Sequence, residues 1–286
     1  MRGWFFLCAG LAFSSVVLGD DAVHDTAVHY TNASGLPDPE TAIWKKLKSS
    51  LFENRPMSGD ALELVAPMRA EDGAVVPIAI RARLSQSSKR YVRRLYLIVD
   101  NNPSPVAATI ELTPESGRAD IETRIRVEEY TYVRAVARTS DGRLHMVANY
   151  VKASGGCSAP AGKDAVAARA NLGKMRLRVD EAVAPGQPSR AQLMVSHPND
   201  SGLAFDQITR TYAQPHFVRR VEVRYAGKPV LIADVDFSIS ENPNFRFYFT
   251  PANGGELDAK VVDNQDLQFA TSLKLASNGA AASSAQ

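Results

Sequence analysis

Val75-Val76-Pro77-Ile78-Ala79-Ile80-Arg81-Ala82-Arg83-Leu84 sets Val76, Ile78, Ile80, Ala82 and Leu84 on one face of an extended chain. Val75, Pro77, Ala79, Arg81 and Arg83 fall on the other. A period of two is that of a half-buried β-strand, because successive side chains point to opposite faces. The same alternation returns downstream, where Ile121, Thr123, Ile125 and Val127 alternate with Glu122, Arg124, Arg126 and Glu128. Leu144, Met146, Ala148 and Tyr150 mark a further strand. Asp72-Gly73, Asn101-Asn102-Pro103, Pro114-Glu115-Ser116-Gly117 and Asp141-Gly142 supply turns at a spacing suited to an antiparallel sandwich.

Outward from this region the chain divides. Residues 154–172 are rich in Ala, Gly and Ser and read as a linker, with one helical turn through Asp164 to Ala170. Strands resume at Met175–Val179, Ala191–Ser196, Val218–Tyr225, Pro229–Phe237, Phe245–Phe249, Leu257–Val262 and Leu267–Leu275. Ala226-Gly227-Lys228 and Asn253-Gly254-Gly255 read as hairpin turns. Phe245, Phe247 and Phe249 share one face and are assigned to a core. Ahead of the first strands, Pro39–Phe52 reads as an amphipathic helix with Ile43, Trp44, Leu47 and Leu51 on one face and Lys45, Lys46 and Lys48 on the other. The expectation is an all-β protein of two sandwiches, residues 61–153 and 173–276, with a short N-terminal helix in an extension over 20–60. Residues 277–286 read as a disordered tail.

Length and composition agree with two globular domains: 286 residues, 45% hydrophobic and 22% charged. Thirty-three basic residues against thirty-one acidic ones leave a net charge of +2, no large basic field, which argues against nucleic acid as a partner. Met1-Arg2, the apolar run Trp4 to Leu18 and the small-residue exit at Gly19 have the form of a cleavable secretory signal over residues 1–19. No later stretch approaches the roughly 18 uninterrupted apolar residues of a membrane span. The expected location is the periplasm, without membrane attachment.

Cys8 lies inside the signal and would leave with it, so Cys157 is the one cysteine of the mature chain. Its setting is Val151-Lys152-Ala153-Ser154-Gly155-Gly156-Cys157-Ser158-Ala159-Pro160, just past the last strand of the first sandwich. A lone thiol in an exported protein is a buried small hydrophobe, an intermolecular bridge or a reactive group. Glycine, serine and proline around it favour a loop, so Gly155 and Gly156 are expected to give a flexible arm and Cys157 an accessible thiol. At an unperturbed pKa of about 8.5 such a thiol is a few per cent thiolate at neutral pH. Lys152 and Lys163 would attract an anionic sulfur species.

Enzyme signatures are missing: the sequence has no phosphate-cradling glycine loop, nucleophile elbow, zinc-protease helix or paired Cys-x-x-Cys. His197 and His216 with Asp234 and Asp236 lack the spacing of a metal site and are assigned to strand caps and turns, so no metal and no cofactor is expected. Arg90, Arg93, Arg94, Arg219, Arg220 and Arg224 read as a solvated sheet face.

With these residues assembled, the chain resembles the sulfur-oxidation carrier pair SoxY and SoxZ fused into one polypeptide. The SoxY-like half is carried by Leu64-Val65-Ala66-Pro67-Met68-Arg69-Ala70-Glu71-Asp72-Gly73-Ala74-Val75-Val76-Pro77-Ile78 and by Gly155-Gly156-Cys157. The SoxZ-like half is carried by Met194-Val195-Ser196-His197-Pro198, Pro215-His216-Phe217-Val218, Val230-Leu231-Ile232-Ala233-Asp234 and Ser240-Glu241-Asn242-Pro243. The resemblance implies two immunoglobulin-like β-sandwiches that pack together, and sulfur intermediates held covalently on Cys157, as in thiosulfate oxidation. It implies a carrier without turnover of its own, visiting periplasmic sulfur-oxidising enzymes or c-type cytochromes. The single-chain form is similar to a variant associated with quinoprotein dehydrogenases. This gives the alternative of a non-covalent accessory protein for a periplasmic quinoprotein alcohol dehydrogenase, with the cysteine incidental.

Overall fold

A computed structural model describes residues 36, 38–160, 170–179, 184–207 and 209–275. The segment 1–19 expected to be a secretory signal, most of the helical turn expected at 164–170, and residues 277–286 lie outside the described residues.

The chain opens with α1 (Ala42–Phe52), started by Thr41, whose hydroxyl accepts the Trp44 N–H at 3.0 Å, and ended by Glu53 in the left-handed region. Strands then follow in order: β1 (Met57–Ser58), β2 (Leu62–Val65), β3 (Val76–Ala82), β4 (Val92–Val99), β5 (Val106–Leu112), β6 (Ile121–Ile125), β7 (Thr131–Thr139) and β8 (Leu144–Val151). The second half supplies β9 (Met175–Val179), β10 (Ser189–Val195), β11 (Phe205–Asp206), β12 (Thr211–Tyr212), β13 (Val218–Tyr225), β14 (Lys228–Val235), β15 (Asn244–Phe249), β16 (Gly255–Asp263) and β17 (Gln268–Leu275).

These strands make the expected all-β architecture, two immunoglobulin-like halves, but the halves share both of their sheets. One sheet has nine strands in the order β1-β8-β7-β4-β5-β14-β13-β16-β17, and the other six in the order β2-β3-β6-β15-β10-β9. The halves meet edge to edge where β14 pairs antiparallel with β5, Leu231 opposite Leu112 through Val235 opposite Ala108. In the second sheet β15 meets β6 at Arg246 opposite Glu122. Edge strands that would otherwise present unpaired N–H and C=O groups are thereby joined. Between the layers runs a continuous core, from Leu62, Ile80, Leu95 and Ile110 to Val221, Phe247, Ala259 and Leu275. Phe245, Phe247 and Phe249 are buried in it, as their alternation implies.

Two expectations are corrected. Asn253-Gly254-Gly255 is a passage between sheets, since β15 lies in the six-stranded sheet and β16 in the nine-stranded one, whereas Ala226-Gly227 does close the β13–β14 hairpin. The buried face of α1 is Trp44 and Phe52, with Leu47 packed beside them, against Tyr96, Ile98, Val136 and Leu144. Ile43 and Leu51 stay exposed. The ring of Trp44 is covered by Arg134, whose guanidinium lies 4.4 Å from the ring centroid and is ion-paired with the buried Asp100. Among the described residues no helix is long and apolar enough to cross a membrane.

Candidate functional site

The segment carrying Cys157 leaves β8 in a fixed track. Lys152 continues the ladder by bonding Met68 and Ala70, and the chain then crosses the end of the first half as a strap, Ser154 to Pro160. The Gly155 N–H donates to the Glu128 carbonyl at 2.8 Å and the Gly156 N–H to the Val127 carbonyl at 3.0 Å. Val127 in turn donates to the Gly73 carbonyl at 2.7 Å. Three backbone segments thus lie in contact, which leaves no room for side chains. A Cβ on Gly156 would sit 2.0 Å from the Gly73 oxygen and 2.7 Å from the Val127 nitrogen, and one on Gly73 would sit 2.5 Å from the Ser154 oxygen. Gly155 is different: its φ is +74° and nothing stands within 4 Å of a Cβ there, so its requirement is purely conformational.

Glu128 fastens the strap. Its Oε2 accepts the N–H groups of Cys157 at 2.7 Å and Ser158 at 3.1 Å, while Oε1 accepts the Ser158 hydroxyl at 2.9 Å. Charged acceptors of this kind form the stronger class of hydrogen bond. The Ser201 hydroxyl, from the second half, donates to the Cys157 carbonyl. Cys157 is 0% exposed. Burial first, then the Glu128 charge, push the thiol up to about 12, with Asp236 adding and the Arg126 guanidinium opposing. The expectation of a loose arm with an open thiol is therefore corrected. Gly155 and Gly156 fix the strap in place, because close approach and a positive φ demand glycine as strongly as flexibility does.

Beneath the strap lies Arg126, 1% exposed. Alternation along 121–127 assigned it to the outward face, but the strap and the second half cover it. Its Nη1 donates to the Gly156 carbonyl at 2.9 Å and its Nη2 to the Asn199 carbonyl at 3.3 Å, while its Nε has no partner. Burial lowers its pKa, offset by the charges of Cys157, Glu241, Asp200 and Asp72. It makes no ion pair among the described residues.

Asn199 links this arginine to a second polar cluster. Its side chain donates to the Ile239 carbonyl and accepts the Val218 N–H, and its own N–H donates to His197 Nδ1 at 3.1 Å. His197 Nε2 lies 3.5 Å and His216 Nε2 2.8 Å from Asp263 Oδ2, and the two rings stand edge to face at 4.5 Å. Asp263 Oδ1 accepts the N–H groups of Gln265 and Leu267 at 2.9 Å each. Burial, then the neighbouring His216, lower the His197 pKa to about 4. Burial would raise the Asp263 pKa, but bonds from His216, Leu267 and Gln265 outweigh it and hold it low.

The three side chains bring their ligand atoms within 4.8 Å of one another. Accepting the Asn199 N–H at Nδ1, however, obliges neutral His197 to carry its proton on Nε2, which then donates to Asp263. That nitrogen is a donor and offers no lone pair, so the cluster is a hydrogen-bonded hub. Of the residues considered in the sequence, His197 and His216 meet here, but their carboxylate is Asp263. Asp234 pairs with Arg220 on the surface and Asp236 caps the Phe237 N–H. Glu128, Arg126, Gly73 and Ser201 were not singled out in the sequence. A break in alternation at Glu128-Glu129 is a local signal that could have found Glu128.

Comparison with known proteins gives two family matches. Residues 48–157 match the model of sulfur oxidation protein SoxY, and residues 175–274 that of sulphur oxidation protein SoxZ. The first match ends on Cys157 itself. No curated protein matches. Among solved structures, the sulfur carrier protein SoxY from Chlorobium limicola f thiosulfatophilum is 21% identical, covers 38% of this chain and 90% of its own, and has a TM-score of 0.33. A superoxide reductase (neelaredoxin) from Ignicoccus hospitalis is 9% identical over 38% of this chain and 86% of its own, with a TM-score of 0.30. Fibronectin(III)-like modules of CbhA from Clostridium thermocellum are 13% identical over 77% of this chain and 90% of theirs, with a TM-score of 0.22.

Proposed function

The chain is a fused SoxYZ-like protein, with a SoxY-family and a SoxZ-family segment in one polypeptide, and we propose that it is a periplasmic carrier holding sulfur intermediates covalently on Cys157. Residues 1–19 would direct its export, residues 61–153 and 173–276 would be the functional units, and the segment 154–172 would join them. The observation that carries this reading is the strap. Cys157 ends the SoxY-family match on a segment fastened by hydrogen bonds to Glu128, Val127 and Ser201, with Ser154 and Gly155 exposed at its start. Releasing the bonds to Glu128, Val127, Arg126 and Ser201 frees the thiol while the ladders of both sheets stay paired.

Loading with a thiosulfate-like anion forms a Cys157–S–S–SO3⁻ linkage. The thiol loses its proton, and two electrons pass to an oxidising partner of the c-type cytochrome class. Among the described residues none hydrogen-bonds the sulfur, and Glu128, the nearest carboxylate to the strap, is occupied by three strap donors. In this reading partner enzymes supply the activation and the carrier has no turnover of its own.

A second reading is favoured by one observation, the complete burial of the thiol. In it the protein is a non-covalent accessory of a periplasmic quinoprotein dehydrogenase and Cys157 is a core residue. Intact-mass measurement of protein from its native host, without reductant, separates the two. A reducible increment absent from Cys157→Ser supports the carrier. An unmodified thiol, together with full activity of the Cys157→Ser strain, supports the accessory.

A further inference from the structure

Arg126 is a buried cation with no ion-pair partner among the described residues. Taking a guanidinium out of water is costly unless it is paired or fully hydrogen-bonded. Here it has two carbonyl acceptors and an Nε with none. One of those two carbonyls, Gly156, belongs to the strap itself, directly before Cys157. When the strap lifts, Nη1 loses its acceptor as well, and the guanidinium is left with two vacant donors next to the exposed thiol. The carboxylates that offset its charge, Glu241, Asp200 and Asp72, act through space and none is within ion-pair distance.

We infer that Arg126 is the anion-binding group for the cargo on Cys157, accepting a sulfur oxyanion such as a sulfonate or thiosulfonate in place of the Gly156 carbonyl. The inference rests on the carrier reading and deepens it. The N–H donor freed at Nη1 can take one oxygen of a tetrahedral oxyanion, and a positive charge favours such cargo over a neutral or apolar sulfur adduct. Arg126 is then a specificity residue, and the closed strap is the state in which a carbonyl oxygen stands in for the oxyanion.

Two thiol reagents differing in charge test this on the full chain: anionic (2-sulfonatoethyl)methanethiosulfonate and neutral methyl methanethiosulfonate. With either, the Cys157 thiolate attacks the sulfenyl sulfur, a disulfide forms, and methanesulfinate leaves with the electron pair of the broken S–S bond. The readout is the ratio of anionic to neutral labelling rates, followed by intact mass. Arg126→Gln, an uncharged variant that can still bond Gly156, should lower the ratio about tenfold, as expected for one neighbouring charge. Arg126→Lys should retain most of it. An unchanged ratio in folded Arg126→Gln overturns the inference and leaves the carrier reading standing. Should that variant not fold, the wild-type ratio must exceed that of the urea-unfolded chain by about tenfold, and equality overturns the inference. If neither reagent labels Cys157 in the folded wild type or in Glu128→Ala, both readings fail together.

Discussion

The strap over Cys157 and the hub around Asp263 bury comparable polar groups, yet they are finished differently. Asp263 is served on both oxygens, by two imidazoles and two backbone N–H groups, all from the second half. The strap draws its fastenings from both halves, through Glu128 and Ser201, and leaves a partnerless sulfur and a partnerless Arg126 Nε beneath it. Buried polar groups in folded proteins are nearly always satisfied, and a complete network rigidifies its surroundings. The hub is that kind of network. The strap is an incomplete one, and incompleteness marks it as the part built to change state.

The sharpest way to break this contrast is Gly156→Ala. A Cβ there meets the Gly73 and Val127 backbone, which has no flexible side chain to move aside, so the strap must lift. With a thiol at about 12 in the closed state, wild-type alkylation at pH 8 should run roughly 1,000-fold slower than in the unfolded chain. Gly156→Ala should recover at least about a hundredfold of that, read by iodoacetamide labelling and intact mass. Gly155→Ala meets no neighbour and pays only for its positive φ, about 1 kcal/mol, so its labelling should stay near wild type.

The hub gives the next largest effect, and on stability instead of reactivity. His197 has its pKa lowered to about 4 from an ordinary value of 6.5, so between those values the unfolded chain binds a proton that the folded chain refuses. Stability is therefore complete above pH 6.5 and falls as pH drops toward 4, by on the order of 3 kcal/mol in all. Urea denaturation at pH 7 and pH 4.5 should show this loss. His197→Gln should flatten it, and a slope unchanged by that substitution would show that the hub is not its source.

Glu128→Gln should have a smaller effect than Gly156→Ala. It keeps an acceptor for the Cys157 and Ser158 N–H groups but removes the charge, weakening the fastening and one cause of the raised thiol pKa. Labelling of Cys157 should rise about tenfold, the value of trading a charged for a neutral acceptor. No change would place the hold on the strap with its backbone bonds, Arg126 and Ser201.

The period-two runs at 75–84 and 121–127, the buried phenylalanines of β15 and the hairpin at Ala226-Gly227 were legible because they are local: a side-chain period and a turn need only near neighbours in the chain. The family, too, was carried by short quoted segments and is matched in both halves. Cys157 could be singled out by its rarity, but its burial could not, since a glycine-rich segment reads the same whether it is loose or pressed against another backbone. Arg126 was misplaced for a related reason: alternation tells which residues share a face and says nothing of what covers that face.

What the sequence determined by itself is the strand content, the two-part order and the identity of the thiol, all of which follow from spacing along the chain. Only the tertiary structure decided that the two halves merge into shared sheets through β5–β14 and β6–β15, and that Glu128, Arg126, Gly73 and Ser201 converge on Cys157. Those contacts join residues from 29 positions apart, Glu128 and Cys157, to 127 apart, Ala108 and Val235. Their energies depend on which backbones approach closely enough to exclude water, a property of the assembled fold.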